Sequence, residues 1–216
     1  MTETGRLITF EGGEGVGKST QIRRLATGLA EAGVDVVMTR EPGGTSGAEA
    51  IRDLVTEGEA DRWSPMTETL LFLAARQDHI ERLIEPALAE GRWVLCDRFI
   101  DSTRVYQGVA GTLGLDLIDR LHRTIFDRLA PDLTILLDLP IEIGLARREA
   151  AGEANRFEQK VAGFHQAVRS GFLDLAAREP ERISVIDAAP AEGDVAALIE
   201  QAVLRRFADS LKGRVA

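Results

Sequence analysis

The chain has 216 residues, 44% of them hydrophobic and 28% charged, an ordinary globular composition at a length that suits one fairly large domain. Its formal charge of −9 repels nucleic-acid polymers at long range and argues against general DNA or RNA binding, while a small anion can still be held by local arginines and backbone dipoles. No stretch approaches the roughly 18 apolar residues of a membrane span, the opening MTETGRLITF lacks a basic segment followed by a long apolar run, and the lone Cys96 cannot form an internal disulfide, so a cytoplasmic chain without a membrane partner is expected.

Apolar β-type runs alternate with helical runs, with no internal repeat or linker between them. Strands are expected at Leu7–Glu11, Val34–Thr39, Trp93–Asp97, Asp132–Asp138 and Ile183–Asp187. The first helix should run from about Lys18 to Ala32, because Ile22, Leu25, Leu29 and Ala32 share one face and Gly33 follows as a stop. Another should start at Ser64-Pro65, an N-cap followed by proline at the first helical position, and bend or stop near Pro86. The last places Val195, Leu198, Ile199 and Ala202 on one face. Strands alternating with helices imply an α/β fold: a five-stranded parallel sheet with helices on both faces, and a ligand site outside the carboxyl ends of the strands. Two strands end there in acidic residues, Asp97 and Asp138.

Gly12-Gly13-Glu14-Gly15-Val16-Gly17-Lys18-Ser19 fits the G-x-x-x-x-G-K-[ST] phosphate loop, with an apolar strand before it and an amphipathic helix after it. Glycines let successive backbone N–H groups turn inward on a phosphate, and the helix N-terminus adds partial positive charge. Lys18 would reach the β- and γ-phosphates, and the Ser19 hydroxyl would help hold Mg²⁺. Residues Gly12 through Thr20 are therefore the expected ATP-binding segment, within the fold of the P-loop nucleoside triphosphate hydrolases.

Several P-loop classes share this loop. A GTPase reads guanine with Asn-Lys-x-Asp, but Asn155 is the only asparagine here and lies between Ala154 and Arg156. Motors are usually longer than this chain, and those acting on DNA need a basic face; a nucleotide-dependent switch or motor that binds a partner protein is the competing reading from another class. A small-molecule kinase needs a second phosphate site and a lid, and the arginines for both are present. Arg40 and Arg52 flank Glu41-Pro42-Gly43-Gly44-Thr45; Arg98 follows Asp97; Arg147, Arg148 and Arg156 bracket a small polar flap.

These residues match a known family. Phe10-Glu11-Gly12 leading into the phosphate loop, Thr39–Thr45, Leu71-Phe72-Leu73-Ala74-Ala75-Arg76 and, most specifically, Asp97-Arg98-Phe99-Ile100-Asp101-Ser102-Thr103-Arg104-Val105-Tyr106-Gln107-Gly108 resemble bacterial thymidylate kinases, and the likeness runs along nearly the whole chain. The resemblance implies Mg²⁺-dependent transfer of the ATP γ-phosphoryl group to dTMP by a cytosolic homodimer, each chain one kinase domain spanning 1–216 with a lid at about 144–158. It implies that Phe72 stacks on thymine, that Arg76 donates to a base carbonyl, and that Ser102 and Gln107 line the base pocket. Tyr106 would sit near the sugar, Arg52 and Arg98 would hold the acceptor phosphate, and Asp97 would act on Mg²⁺ directly or through water. Glu14 would meet the sugar 3′-hydroxyl or orient the phosphate-binding groups. His79 shares the stripe of Phe72 and Arg76 without an assigned role. The loop carries Glu14 and no basic residue but Lys18, so a bridging cation must come from the lid. Ala151 stands where a lid arginine is expected, which leaves Arg148 and Arg156 as the catalytic candidates.

Overall fold

The computed structural model describes residues 5–59, 61–126, 129–151 and 162–211, without the side chains of 148–151 and 162. The central strand β1 (Leu7–Glu11) is buried throughout, as a parallel strand covered on both faces must be. It turns through the glycine loop into α1 (Lys18–Glu31), which buries Ile22, Leu25, Ala26 and Leu29. At its end the Gly33 and Val34 N–H groups donate to the Ala30 and Leu29 carbonyls. Because Val34 closes that turn, β2 spans Val36–Arg40 rather than Val34–Thr39.

Next come α2 (Ser46–Thr56) and α3 (Pro65–His79), the latter capped by the Ser64 side chain accepting from the Thr67 N–H. The helical path does not stop near Pro86. It widens into a π-helical turn at Ile80–Ile84, just before the proline, and continues as α4 (Glu85–Ala89), the wider turn lying where Pro86 has no N–H to give the helical ladder. Strand β3 (Trp93–Asp97) leads to α5 (Ile100–Thr103), a π-helical turn over Arg104–Val109, and α6 (Leu115–Phe126). Strand β4 (Leu133–Asp138) begins one residue later than expected; the Asp132 carboxylate instead accepts from the Leu7 N–H and Arg6. The remaining elements are α7 (Ile141–Ala151), α8 (Ala162–Arg178), β5 (Ile183–Asp187), α9 (Glu192–Arg206) and α10 (Ala208–Leu211). Of the expected lid, α7 covers 144–151, and 152–158 lies outside the described residues.

All four strand pairings are parallel, in the order β2-β3-β1-β4-β5. Alternate residues of the strands feed opposite faces. Ile8, Phe10, Leu95, Ile135 and Leu137 pack with α1 and α9, whereas Leu7, Val94 and Cys96 pack with α3 and the turn after it. Leu136 joins Val168, Phe172 and Leu175 of α8. On α9, Val195, Ile199 and Ala202 are buried as expected, but Leu198 is 38% exposed and Val203 takes the inner position. No helix among the described residues is long and apolar enough to cross a membrane.

Candidate active site

The phosphate loop lies where β1 ends and α1 begins. Gly17 caps α1 with φ 93°, a left-handed conformation open to glycine at little cost. Gly15, at φ 68°, meets the lid-side helix: a Cβ there would collide with the Gly144 carbonyl of α7, and a Cβ on Gly144 would lie 2.5 Å from the Glu14 carbonyl. Two glycines thus let α7 rest directly on the backbone of the loop. Lys18 Nζ donates to the Gly13 carbonyl at 2.9 Å and the Gly12 carbonyl at 3.3 Å. Burial, helped by the positive charge of Arg98, pushes the Lys18 ammonium down to about 8.

The register Phe10↔Asp97 brings the end of β3 beside the start of the loop. Ser19 Oγ donates to Asp97 Oδ2 at 3.0 Å, and Asp97 Oδ1 is buried with no partner among the described residues. A hydroxyl and an orphaned carboxylate oxygen are the hard donors that a small divalent cation takes alongside phosphate oxygens. No described cluster of three or more His, Cys, Asp or Glu could hold a metal by itself. The residues therefore fit a cation shared with a nucleotide.

Arg98 follows with φ 66°, the one non-glycine residue in the left-handed region among those described. Its guanidinium donates to Glu14 Oε1 at 2.8 Å, to the Gly12 carbonyl at 3.2 Å and to Ser102 Oγ at 3.1 Å, and lies 4.9 Å from the centre of the Tyr106 ring. Burial works against this charge, but the surrounding Tyr106, Glu14, Glu11 and Asp97 acids outweigh it and hold Arg98 more firmly charged than usual. Tyr106 Oη donates to Glu14 Oε1 at 3.1 Å, so Glu14 joins the loop to both Arg98 and Tyr106.

Glu11 holds this arrangement from behind, a role the sequence reading did not assign. Its buried carboxylate accepts from the Phe99 N–H, the Ser102 N–H and the Ser102 hydroxyl at 2.8, 3.1 and 2.6 Å. Burial, with the nearby Asp101 charge, raises Glu11 to about 7.

Elsewhere on the cavity lining, Arg52 donates to the Pro42 carbonyl at 2.7 Å, and Arg40 pairs with Glu49 at 3.0 Å. Phe72 is half-buried on α3. One turn on, Arg76 is 3% exposed and bonded to Glu41, Phe99, Thr103 and His122. His79 is fully buried, bridging Thr39 Oγ1 at 2.7 Å and Glu41 Oε1 at 3.2 Å, which explains its place on the same stripe. Gln107 donates to Glu68 at 3.0 Å.

One cavity of about 810 Å³ opens on these residues. It is lined by Glu14 through Thr20, by Asp97 and Arg98, and by Arg52, Phe72, Arg76, Ser102, Tyr106 and Gln107. Gly12 and Gly13 face a small recess behind the loop instead. Of the lid candidates, the Arg148 side chain and all of Arg156 lie outside the described residues. Arg147 does line the cavity, and donates to the Ala188 carbonyl at 3.4 Å.

Comparison with known proteins agrees with this geometry. The thymidylate kinase family profile matches residues 10–199. The chain is 57% identical over 207 residues to the thymidylate kinase of Caulobacter vibrioides, covering 96% of this chain and 99% of that one. It is 56% identical over 199 residues to that of Dinoroseobacter shibae, covering 91% and 95%. In three dimensions it is similar to the crystal structure of thymidylate kinase from Ehrlichia chaffeensis, with a TM-score of 0.75, 35% identity, and coverage of 93% of this chain and 99% of that one. With a matching profile over most of its length and relatives more than half identical across nearly the whole chain, the chain belongs to the thymidylate kinase family.

Proposed function

We propose that the cleft performs the family's reaction, transfer of the γ-phosphoryl group of ATP to dTMP to give dTDP and ADP in dTTP synthesis, with donor and acceptor bound at opposite ends of one cavity. The chain is a nucleoside monophosphate kinase. The observation that carries the residue assignment is that Lys18 and Ser19 open on the same space as Arg52 and Arg98.

The acceptor is a phosphate monoester, whose second pKa near 6 leaves it largely dianionic at pH 7. It needs no general base, and the task is to bring two anions together. The loop N–H groups and Lys18 hold the donor, while Arg52 and Arg98 hold the acceptor. Glu14 orients Arg98, and the Tyr106 ring sits against the same guanidinium. Phe72 stacks on the base, and Ser102 and Gln107 complete its pocket. Ser19 and Asp97 would hold Mg²⁺, which when bound neutralises charge on the phosphate oxygens. Because the transition state is loose, positioning and charge stabilisation supply most of the rate. A lid at about 144–158, in one kinase domain spanning 1–216, would exclude water as a competing acceptor and carry the bridging arginine, Arg148 or Arg156, with Arg147 at the cavity wall. The working unit is taken to be a cytoplasmic homodimer.

The test is ATP consumption with each nucleoside monophosphate in turn at fixed Mg²⁺. Strong stimulation by dTMP alone supports the reading; hydrolysis indifferent to all of them refutes it.

A further inference from the structure

Arg76 is held at three points. Its Nε donates to Glu41 Oε2 at 2.7 Å, its Nη2 to the Phe99 carbonyl and Thr103 Oγ1 at 3.0 Å each, and its Nη1 lies 2.9 Å from His122 Nε2. A guanidinium has five N–H groups and no acceptor. These bonds use four, so one Nη1 hydrogen has no partner among the described residues. With Nε, Nη1 and Nη2 all fixed, the plane of the group is fixed, and covalent geometry sets the direction of the fifth N–H.

His122 is the less expected member of this clamp. Since Arg76 can only donate, His122 Nε2 must accept, which places the imidazole proton on Nδ1. That Nδ1 is buried with no partner among the described residues. Burial, together with the Arg76 and Arg104 charges, drives the ring down to about 2, so it is neutral at any working pH. Packing alone does not require a histidine here: the ring makes an edge contact with Phe126 at 5.7 Å on an apolar face of α6 that also buries Ile118. A leucine or phenylalanine would fill the space and remove the stranded Nδ1–H, but would leave the Arg76 Nη1–H that His122 now accepts without that acceptor. What histidine adds is a lone pair aimed at Arg76.

We propose that His122 is a specificity-positioning residue: by accepting one Nη1 hydrogen of Arg76, it turns the other toward the base end of the cleft, where only a base presenting a carbonyl can meet it. This rests on the reading of Arg76 as the base-contacting donor. Thymine offers a carbonyl at its 4-position. Cytosine offers an amino group there, which sets donor against donor. A merely structural histidine would affect stability without affecting this choice.

The experiment compares kcat/KM for dTMP and dCMP in the wild type, His122→Phe, His122→Leu and His122→Gln, with folding followed by circular dichroism. His122→Phe and His122→Leu should lower the dTMP-to-dCMP ratio by about tenfold or more, mainly through KM for dTMP. His122→Gln, whose side-chain oxygen can accept, should restore most of it. Adding His122→Phe to Arg76→Ala should change the ratio no further. A folded Phe or Leu variant whose ratio stays within about threefold of wild type overturns the proposal. Independently of any variant, ¹⁵N NMR of the wild-type histidines should show the Nδ1–H tautomer at His122 from pH 5 to 9; an Nε2–H tautomer or an imidazolium also overturns it. A wild type with no preference for dTMP would instead contradict the base-contact reading, so the two failures are distinguishable.

Discussion

Ser19 Oγ donates to Asp97 Oδ2 across 3.0 Å, joining the end of the phosphate loop to the end of β3 although the two residues are 78 apart in sequence. The second oxygen of Asp97 is buried and unpartnered among the described residues. Asp97→Asn keeps the shape but replaces a carboxylate oxygen with a neutral amide. Apparent Mg²⁺ affinity should weaken by about 10–100-fold, with the fold intact. Initial rates against Mg²⁺ concentration check this, and an unchanged Mg²⁺ curve would remove Asp97 from the cation site.

Lys18 has an ammonium lowered to about 8 by burial and by Arg98. Triphosphate oxygens beside it must raise that value, so ATP binding at pH 8.5 should take up protons. Calorimetry in two buffers of different ionisation enthalpy reads the uptake, which Lys18→Ala should abolish. The same variant, still folded by circular dichroism, should lose most of its transfer activity, and activity within about tenfold of wild type would contradict the assignment.

Phe72 lies on the cavity wall one helical turn from Arg76. Base stacking on an aromatic ring is worth about 1–3 kcal/mol, so Phe72→Ala should raise KM for dTMP by roughly 5–150-fold and leave KM for ATP nearly unchanged. Steady-state kinetics with each substrate varied separates the two. An unaltered KM for dTMP would show Phe72 to be packing only.

Glu11 accepts three hydrogen bonds from the segment behind Arg98, and burial with the Asp101 charge raises it from 4.5 to about 7. A carboxyl raised in the folded state contributes stability that is fully present below about pH 4.5 and is lost as pH rises through about 7. Between pH 5 and pH 8 the wild type should therefore lose more stability than Glu11→Gln. Urea unfolding at the two pH values measures this, and parallel losses in both proteins would refute it.

The lid arginines are expected to separate kcat from KM. An arginine that engages only in the closed transition state is worth about 10³–10⁵ in turnover where measured. The Arg148→Ala, Arg156→Ala double variant should lower kcat far more than it raises KM for dTMP. If its kcat stays within about threefold of wild type, Arg147, which lines the cavity, becomes the candidate.

What could be read from sequence was local. The phosphate loop is a contiguous pattern between strand and helix, and the strands are short apolar runs, so both were legible. Boundaries moved where one backbone group had two possible partners, as when the Val34 N–H closed the turn after α1 instead of starting β2. The supports of the site were hidden because their partners are far apart. Glu11 meets Ser102 across 91 residues, and Arg76 meets Glu41 and His122 across 35 and 46. Nor did Gly144 announce itself: a lone glycine in a helix carries no sign that the phosphate loop rests against it.

The central claim is that one cavity holds a phosphoryl donor against a thymidylate acceptor. The most direct measurement follows the label from ATP marked at its γ-phosphate during incubation with dTMP and Mg²⁺. The expected result is label in the terminal phosphate of dTDP, formed in step with ADP and abolished in Lys18→Ala. Label released as inorganic phosphate at a rate independent of dTMP would contradict it.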